Sequence, residues 1–254
     1  MPVFSTRGGN KGAHGRYVRD YQVLVDRLLM QQSRDHAMLT AVGGSDQVGD
    51  QEFAAAVRFG FAERGYLVDV GCGSGRLARR IARLPDARFL GTDVNPKLLQ
   101  YAADSCKRPD FKFAQVDSTQ IPEADSTADM VTFFSVGTHM LHEEFFLYLE
   151  EARRVLKSGG RTVFSFLDAQ TPHGRQVFSE TIDVVRNGGE LDHLNVFIGR
   201  SDVPVWAAML AMKLVDIIPG DAPWAGSDSA AERLVDRDLA GQGFGQSIAV
   251  LEKI

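Results

Sequence analysis

Residues 67–79 read LVDVGCGSGRLAR, an apolar run that passes through three alternating glycines into a segment of helical character. Glycines at 71, 73 and 75 let the backbone adopt conformations that a Cβ would forbid and approach a ligand closely. A strand turning this tightly into a helix is the opening unit of a βαβ fold, which constrains the chain to an open, largely parallel sheet. Taken alone, such a triad is equally the mark of a turn that uses glycine for geometry only.

The rest of the chain follows the same pattern, with short apolar runs alternating with helical segments from residue 66 onward. Strands are expected at Tyr66–Val70, Arg88–Thr92, Lys112–Val116, Met130–Ser135, Arg161–Leu167, Leu214–Ile218 and Ile248–Lys253. Helices are expected near Gly75–Ala82, Lys97–Ser105 and Phe145–Leu156, with no more than a turn at Ser118–Ile121; Gly159 and Gly160 are expected to close the third helix. The expected fold class is α/β, a Rossmann-like seven-stranded, mostly parallel sheet with helices on both faces.

Ahead of the sheet, residues 17–31 place Val18, Tyr21, Val25 and Leu28 at helical spacing, and a second helix, Gln51–Phe59, follows a loop at 43–46. Residues 1–60 therefore read as a helical lid or brace, and 61–254 as the main domain. Residues 169–212 exceed what a crossover needs and hold two expected helices, Arg175–Val185 and Asp202–Met212. Extra segments after a late strand are where a shared scaffold acquires its own substrate pocket, so this stretch reads as a substrate-binding insertion.

A length of 254 residues suits one such domain, and 44% hydrophobic with 24% charged residues is the balance of a folded chain. The net charge of -5 disfavours a nucleic-acid partner, which calls for a basic surface. The basic lean of Arg7, Lys11, Arg16, Arg19 and Arg27 reads as a solvated tail. Cys72, inside the glycine turn, and Cys106 read as reduced thiols. No apolar run approaches the roughly 20 residues of a membrane span, and residues 1–16 lack a secretory hydrophobic stretch. A cytoplasmic location with no membrane partner is the expectation; oligomeric state leaves no signal.

Two acids lie downstream of the turn. Asp93 ends the second expected strand, 18 residues after Gly75, and Asp117 ends the third. Either alone would be an ordinary helix cap or turn acid. Together, at the carboxyl ends of adjacent strands, they converge on one crevice, where one can accept from ribose hydroxyls and the other from an adenine amino group.

The segments DVGCGSG (69–75), GTDVNPKLLQYA (91–102), VDSTQIP (116–122), ADMVTFFSVGTHML (128–141) and LEEARRVLKSGGRTVFSF (149–166) together resemble the class I S-adenosylmethionine-dependent methyltransferases over about residues 60–254. The resemblance implies that the final strand is antiparallel and that 61–254 is a methyltransferase domain. It implies that Asp69 and the turn Gly71, Cys72, Gly73 and Gly75 hold the methionine end of S-adenosylmethionine, Asp93 the ribose and Asp117 the adenine. Ser118 would offer its backbone N–H to the ring, Val94 and Ser135 would belong to the same cofactor set, and S-adenosylhomocysteine would be the product. More narrowly, the chain resembles bacterial small-molecule methyltransferases whose fourth strand runs into a Thr-His segment and whose chain ends on a strand like QSIAVLEK. A dinucleotide enzyme of similar architecture needs a third glycine where Arg76 stands.

His139 and His142 follow the fourth strand at i, i+3 spacing, expected to share one helical face beside the methyl position. They are the candidate catalytic residues, either as a base taking a proton from the acceptor or as groups that position it. With Glu143 they make three possible metal ligands and no fourth, so no metal is expected. Phe133, Phe134, Tyr148, Phe178, Phe197 and Trp206 are pocket or core, and His173, His193 and Asn195 are further candidates in the insertion. The stretch FFSV at 133–136 lacks the Asn/Asp-Pro-Pro-aromatic segment of enzymes that methylate DNA bases or protein glutamines. The expected function is methyl transfer to an oxygen or nitrogen of a small-molecule acceptor. The alternatives are a binding module without turnover, or a carbon, sulfur or macromolecular acceptor.

Overall fold

Tyr66–Val70 is buried at every position, as a strand covered on both faces requires, and it forms β1 of a seven-stranded sheet. The structure is a computed structural model that describes residues 14–223 and 243–254, with side chains from Tyr17 onward. Arg7, Lys11 and the side chain of Arg16, expected in a basic tail, lie outside the described residues. The remaining strands are β2 (Arg88–Asp93), β3 (Lys112–Gln115), β4 (Ala128–Phe133), β5 (Leu156–Phe166), β6 (Met212–Ile218) and β7 (Ser247–Lys253). Their order is β3-β2-β1-β4-β5-β7-β6, with β7 antiparallel to both neighbours and the other pairings parallel. This is the expected Rossmann-like class, and no helix joins β3 to β4.

Among the described residues, three helices precede the sheet: α1 (His14–Gln31), α2 (Arg34–Thr40) and α3 (Val48–Arg58). The second is absent from the sequence reading, although Ser33 caps it by accepting from the His36 N–H. The others are α4 (Arg76–Ile81), α5 (Pro96–Cys106), α6 (His142–Val155), α7 (Pro172–Arg186) and α8 (Asp202–Met209). One apolar layer joins Phe133, Phe145, Leu149, Phe164 and Phe166 with α6 and α8, and the other joins Phe53, Ala56, Leu77, Ile81 and Phe89 with α3 and α4.

Two local expectations are corrected. Gly159 and Gly160 do not close α6: the helix ends at Val155 with the Leu156 N–H bonded to Ala152 O, and Leu156 pairs at once with Ala128. The glycines instead form an irregularity inside β5, where a Cβ on Gly160 would lie 2.9 Å from Lys157 O. Likewise α8 stops at Met209, and Met212 already pairs with Lys253, so β6 begins two residues earlier than expected. Because β2 and β4 flank β1 on opposite sides, the crevice at the carboxyl ends of β1 and β4 is the switch point where α/β sheets hold ligands.

Candidate functional site

A cavity of about 890 Å³ opens at that switch point. Its floor is the turn after β1, where Gly71 and Cys72 donate their N–H groups to Thr92 O at 2.8 and 2.9 Å, holding the turn against the end of β2. Gly73 sits at φ +52, and a Cβ there would meet Val42 Cγ1 at 2.7 Å. Only glycine allows the loop after α2 to close over the turn. Gly75 lies behind the wall, where its hydrogen atom lets α4 pack against α5; a Cβ would stand 2.7 Å from Ala102 Cβ.

The carboxylates at the strand ends are buried. Asp93 accepts from the Gly73 N–H at 2.9 Å and the Asn95 N–H at 2.8 Å, and burial raises its pKa to about 6 despite those bonds. Asp69 accepts from Thr132 Oγ1 at 2.7 Å, and burial, together with nearby Glu52, pushes its pKa well above the usual carboxylate range. Glu52, from α3, pairs with Arg76 at 2.9 Å, and both line the cavity. Ser135 adopts φ +60, a costly conformation for a residue with a side chain. A ring of bonds holds it: Ser135 N–H donates to Ser165 Oγ, Ser165 Oγ to Gln246 Oε1 and Gln246 Nε2 to Ser135 Oγ, at 2.8, 2.7 and 3.0 Å.

Of the expected cofactor residues, Asp69, Gly71, Cys72, Gly73, Asp93, Val94 and Ser135 meet on this cavity wall. Asp117 and Ser118 do not: Asp117 is exposed, Val116 lines the wall in their place, and Ser118 O accepts from the Tyr148 hydroxyl at 3.1 Å. The two histidines are separated as well. His139 ends a 3₁₀ turn, Met140 is extended, and His142 is the first residue of α6, so they share no helical face. His142 bonds Phe197 O through Nε2 at 2.9 Å and packs edge-on to Trp206, tying α6 to the insertion outside the cavity wall.

His139 lines the cavity. Its Nδ1 lies 2.8 Å from Leu194 O; a carbonyl only accepts, so Nδ1 carries the proton and Nε2 keeps its lone pair. Burial, aided by His193, lowers its pKa to about 4, leaving it neutral near pH 7. Tyr21 and His193 stand against it, with ring centroids 5.6 and 4.6 Å away.

Sequence reasoning placed α1 as a lid or brace but did not count its residues among those of the site. Tyr17, Tyr21, Leu24 and Leu28 form a stripe at helical spacing that lines the cavity. The signal was present, because this stripe carries two phenols where a plain core face would be aliphatic. Gln246 was also missed, and no local pattern marks it.

A methyltransferase-domain family model matches residues 67–160, from β1 into β5. The chain is 30% identical over 138 residues to a malonyl-[acyl-carrier protein] O-methyltransferase of Hahella chejuensis, covering 54% of this chain and 47% of that protein. It is 27% identical over 150 residues to a demethylmenaquinone methyltransferase of Tropheryma whipplei, covering 59% and 60%. The chain thus spans about half the length of the curated relatives it matches. Magnesium protoporphyrin IX methyltransferase from Synechocystis PCC 6803, solved with bound S-adenosylhomocysteine, shares the fold with a TM-score of 0.58 at 18% identity, covering 84% of this chain and 85% of that one.

Proposed function

We propose that this chain is a class I S-adenosylmethionine-dependent methyltransferase that methylates an oxygen or nitrogen of a small-molecule acceptor, with His139 as the base. The observation that carries the reading is the meeting of Asp93, the glycine turn and His139 on one cavity, with His139 Nδ1 already engaged by Leu194 O. The cavity suits the donor: Gly71 and Gly73 carry no Cβ, which would collide with Val136 and Val42, so the turn presents bare backbone to the cleft, and the Asp93 carboxylate is placed to accept from ribose hydroxyls. Asp69, Cys72, Val94 and Ser135 complete the proposed cofactor wall and Gly75 supports it by packing; on the adenine side Val116 lines the cleft, and a contact from Asp117 or Ser118, which follow it outside the wall, would need their loop to turn inward.

Bound in this cleft, S-adenosylmethionine supplies a methyl group on a sulfonium. The acceptor's lone pair would form the new bond to that carbon, the carbon–sulfur pair would stay with sulfur, and His139 would take the acceptor proton on Nε2. Holding the reactants at near-attack distance can contribute about 7–11 kcal/mol, whereas a base adds roughly 3–5 kcal/mol. Enclosure by α1 and the insertion is therefore the larger effect. The relatives' names support a non-nucleic-acid acceptor, as does the acidic balance of the chain. Residues 14–60 as lid and 169–212 as acceptor-binding insertion fit this reading, since both line the cavity. The insertion also contains Asp168's partner Arg200, whose guanidinium anchors it to the end of β5.

Calorimetry with S-adenosylmethionine, followed by an S-adenosylhomocysteine release assay over hydroxyl- and amine-bearing metabolites, tests the proposal. Asp93→Ala should weaken donor binding about 10- to 100-fold by removing charge-assisted hydrogen bonds. Unchanged affinity would show that the donor lies elsewhere, and binding without turnover on any acceptor would favour a binding module.

A further inference from the structure

Away from the glycine turn, the cavity wall is built from α1, the segment after β4, α7 and the chain running to Asn195. Among the described lining residues, the acidic and basic side chains are Glu52, Asp69, Arg76 and Asp93 at the turn and Arg27 and Asp192 at the far side. These last two close on each other in a bidentate pair at 3.0 and 2.8 Å. Among the described lining residues the far wall holds no other Asp, Glu, Lys or Arg; Leu24, Leu167 and Val177 are among its apolar members, and Tyr21, His139, His173 and His193 offer polar ring atoms.

His193 stands out within that wall. Its Nδ1 is buried and has no hydrogen-bond partner, an unfavourable state that ligand-binding sites can retain. The ring meets His139 edge-on at 4.6 Å between centroids, and both residues line the cavity. Burial lowers the His193 pKa although Asp192 and Asp20 oppose the shift, so the ring is neutral and one nitrogen carries a proton.

A hydroxyl oxygen has one proton and two lone pairs. During methyl transfer the proton would go to His139 Nε2, leaving the O–H pair on oxygen facing that imidazolium, one lone pair would become the carbon–oxygen bond, and the carbon–sulfur electrons would leave with sulfur. One lone pair remains to be satisfied. We propose that His193 Nδ1–H donates to this lone pair, so that the acceptor is an uncharged, largely apolar molecule whose hydroxyl is held between His139 and His193. A carboxylate or ammonium acceptor would enter a wall whose one charge pair is already closed on itself, and would lack a counter-ion there.

The inference rests on the donor-binding reading above, and the experiment separates the two. Protein saturated with S-adenosylhomocysteine is titrated calorimetrically with 2-naphthol, with 2-methoxynaphthalene, which lacks the hydroxyl proton, and with 2-naphthoate, which carries a charge. 2-Naphthol is expected to bind at least about tenfold more tightly than either analogue. His193→Phe is expected to lose about tenfold of that affinity. His193→Asn, whose amide nitrogen falls near the Nδ1 position, is expected to recover it to within about threefold. S-Adenosylhomocysteine affinity should be unchanged in both variants. Absence of 2-naphthol binding, preference for 2-naphthoate, full affinity in His193→Phe or no recovery in His193→Asn would overturn the inference. Failure of the parent to bind S-adenosylhomocysteine would instead overturn the donor-binding reading.

Discussion

His139 shows how one buried side chain can make function and stability depend on pH. Its proton binds at about pH 4 in the folded protein and near 6.5 in an unfolded chain. Between those values the unfolded state holds a proton that the native state does not, so the group's contribution to stability falls as the pH drops from 6.5 towards 4. The full shift corresponds to about 3 kcal/mol. Asp93 acts oppositely: its folded pKa of about 6 exceeds the unfolded 3.8, so the native state takes up that proton first and gains stability as pH falls through this window. The two offset each other in the parent, and removing one exposes the other. His139→Gln should lose less stability than the parent between pH 7 and pH 4.5 in urea unfolding; parallel losses would contradict the buried neutral imidazole.

Arg76 does the equivalent work between elements. It stands at the start of α4, where a dinucleotide site would need a third glycine, and it is buried against α3. Its guanidinium donates to Glu52 at 2.9 Å and to Val42 O at 2.6 Å, fastening the loop that closes over Gly73. Beside it Arg80 bonds Asp50 and Asp46, so α4 holds both ends of the segment leading into α3. Breaking a buried pair on one side costs about 3–5 kcal/mol, because the remaining charge is left unpaired. Arg76→Met should approach that loss in denaturant unfolding, and Arg76→Met with Glu52→Gln should recover part of it. A double variant no more stable than the single would show that the pair is not the attachment.

Across the whole molecule, the cavity is closed by contacts between segments far apart in the chain. α1 is tied to the insertion by Arg27 and Asp192, to α5 by Asp26 and Lys97 at 2.7 Å, and to the end of β2 by Tyr21 O accepting from Asn95 Nδ2 at 3.2 Å. The Arg27 and Asp192 side chains are 44% and 54% exposed, so their pair adds little to overall stability. Its place at the mouth matters more for exchange, since lid opening often limits product release. Arg27→Ala should leave the thermal unfolding midpoint nearly unchanged while raising the dissociation rate of S-adenosylhomocysteine severalfold in stopped-flow displacement. An unchanged rate would mean that ligands leave by another route.

The alternation of apolar runs and helical stripes determined the sheet, and the glycine turn followed by Asp93 determined which strand ends the cavity lies against. Such features are legible because strand burial, helical periodicity and glycine's freedom are properties of neighbouring residues. The same logic erred at Gly159 and Gly160, whose turn chemistry was overridden by the pairing of Leu156 with Ala128. Only the tertiary structure decided that His139 faces the cavity while His142 ties α6 to Phe197, and that Val116 rather than Asp117 forms its wall. It also brought Tyr21, His193 and Gln246 to that wall, from α1, the insertion and the approach to β7. The reason is physical: a side chain's partner across the fold depends on how whole elements pack, and Arg27 meets Asp192 across 165 residues that no local pattern connects.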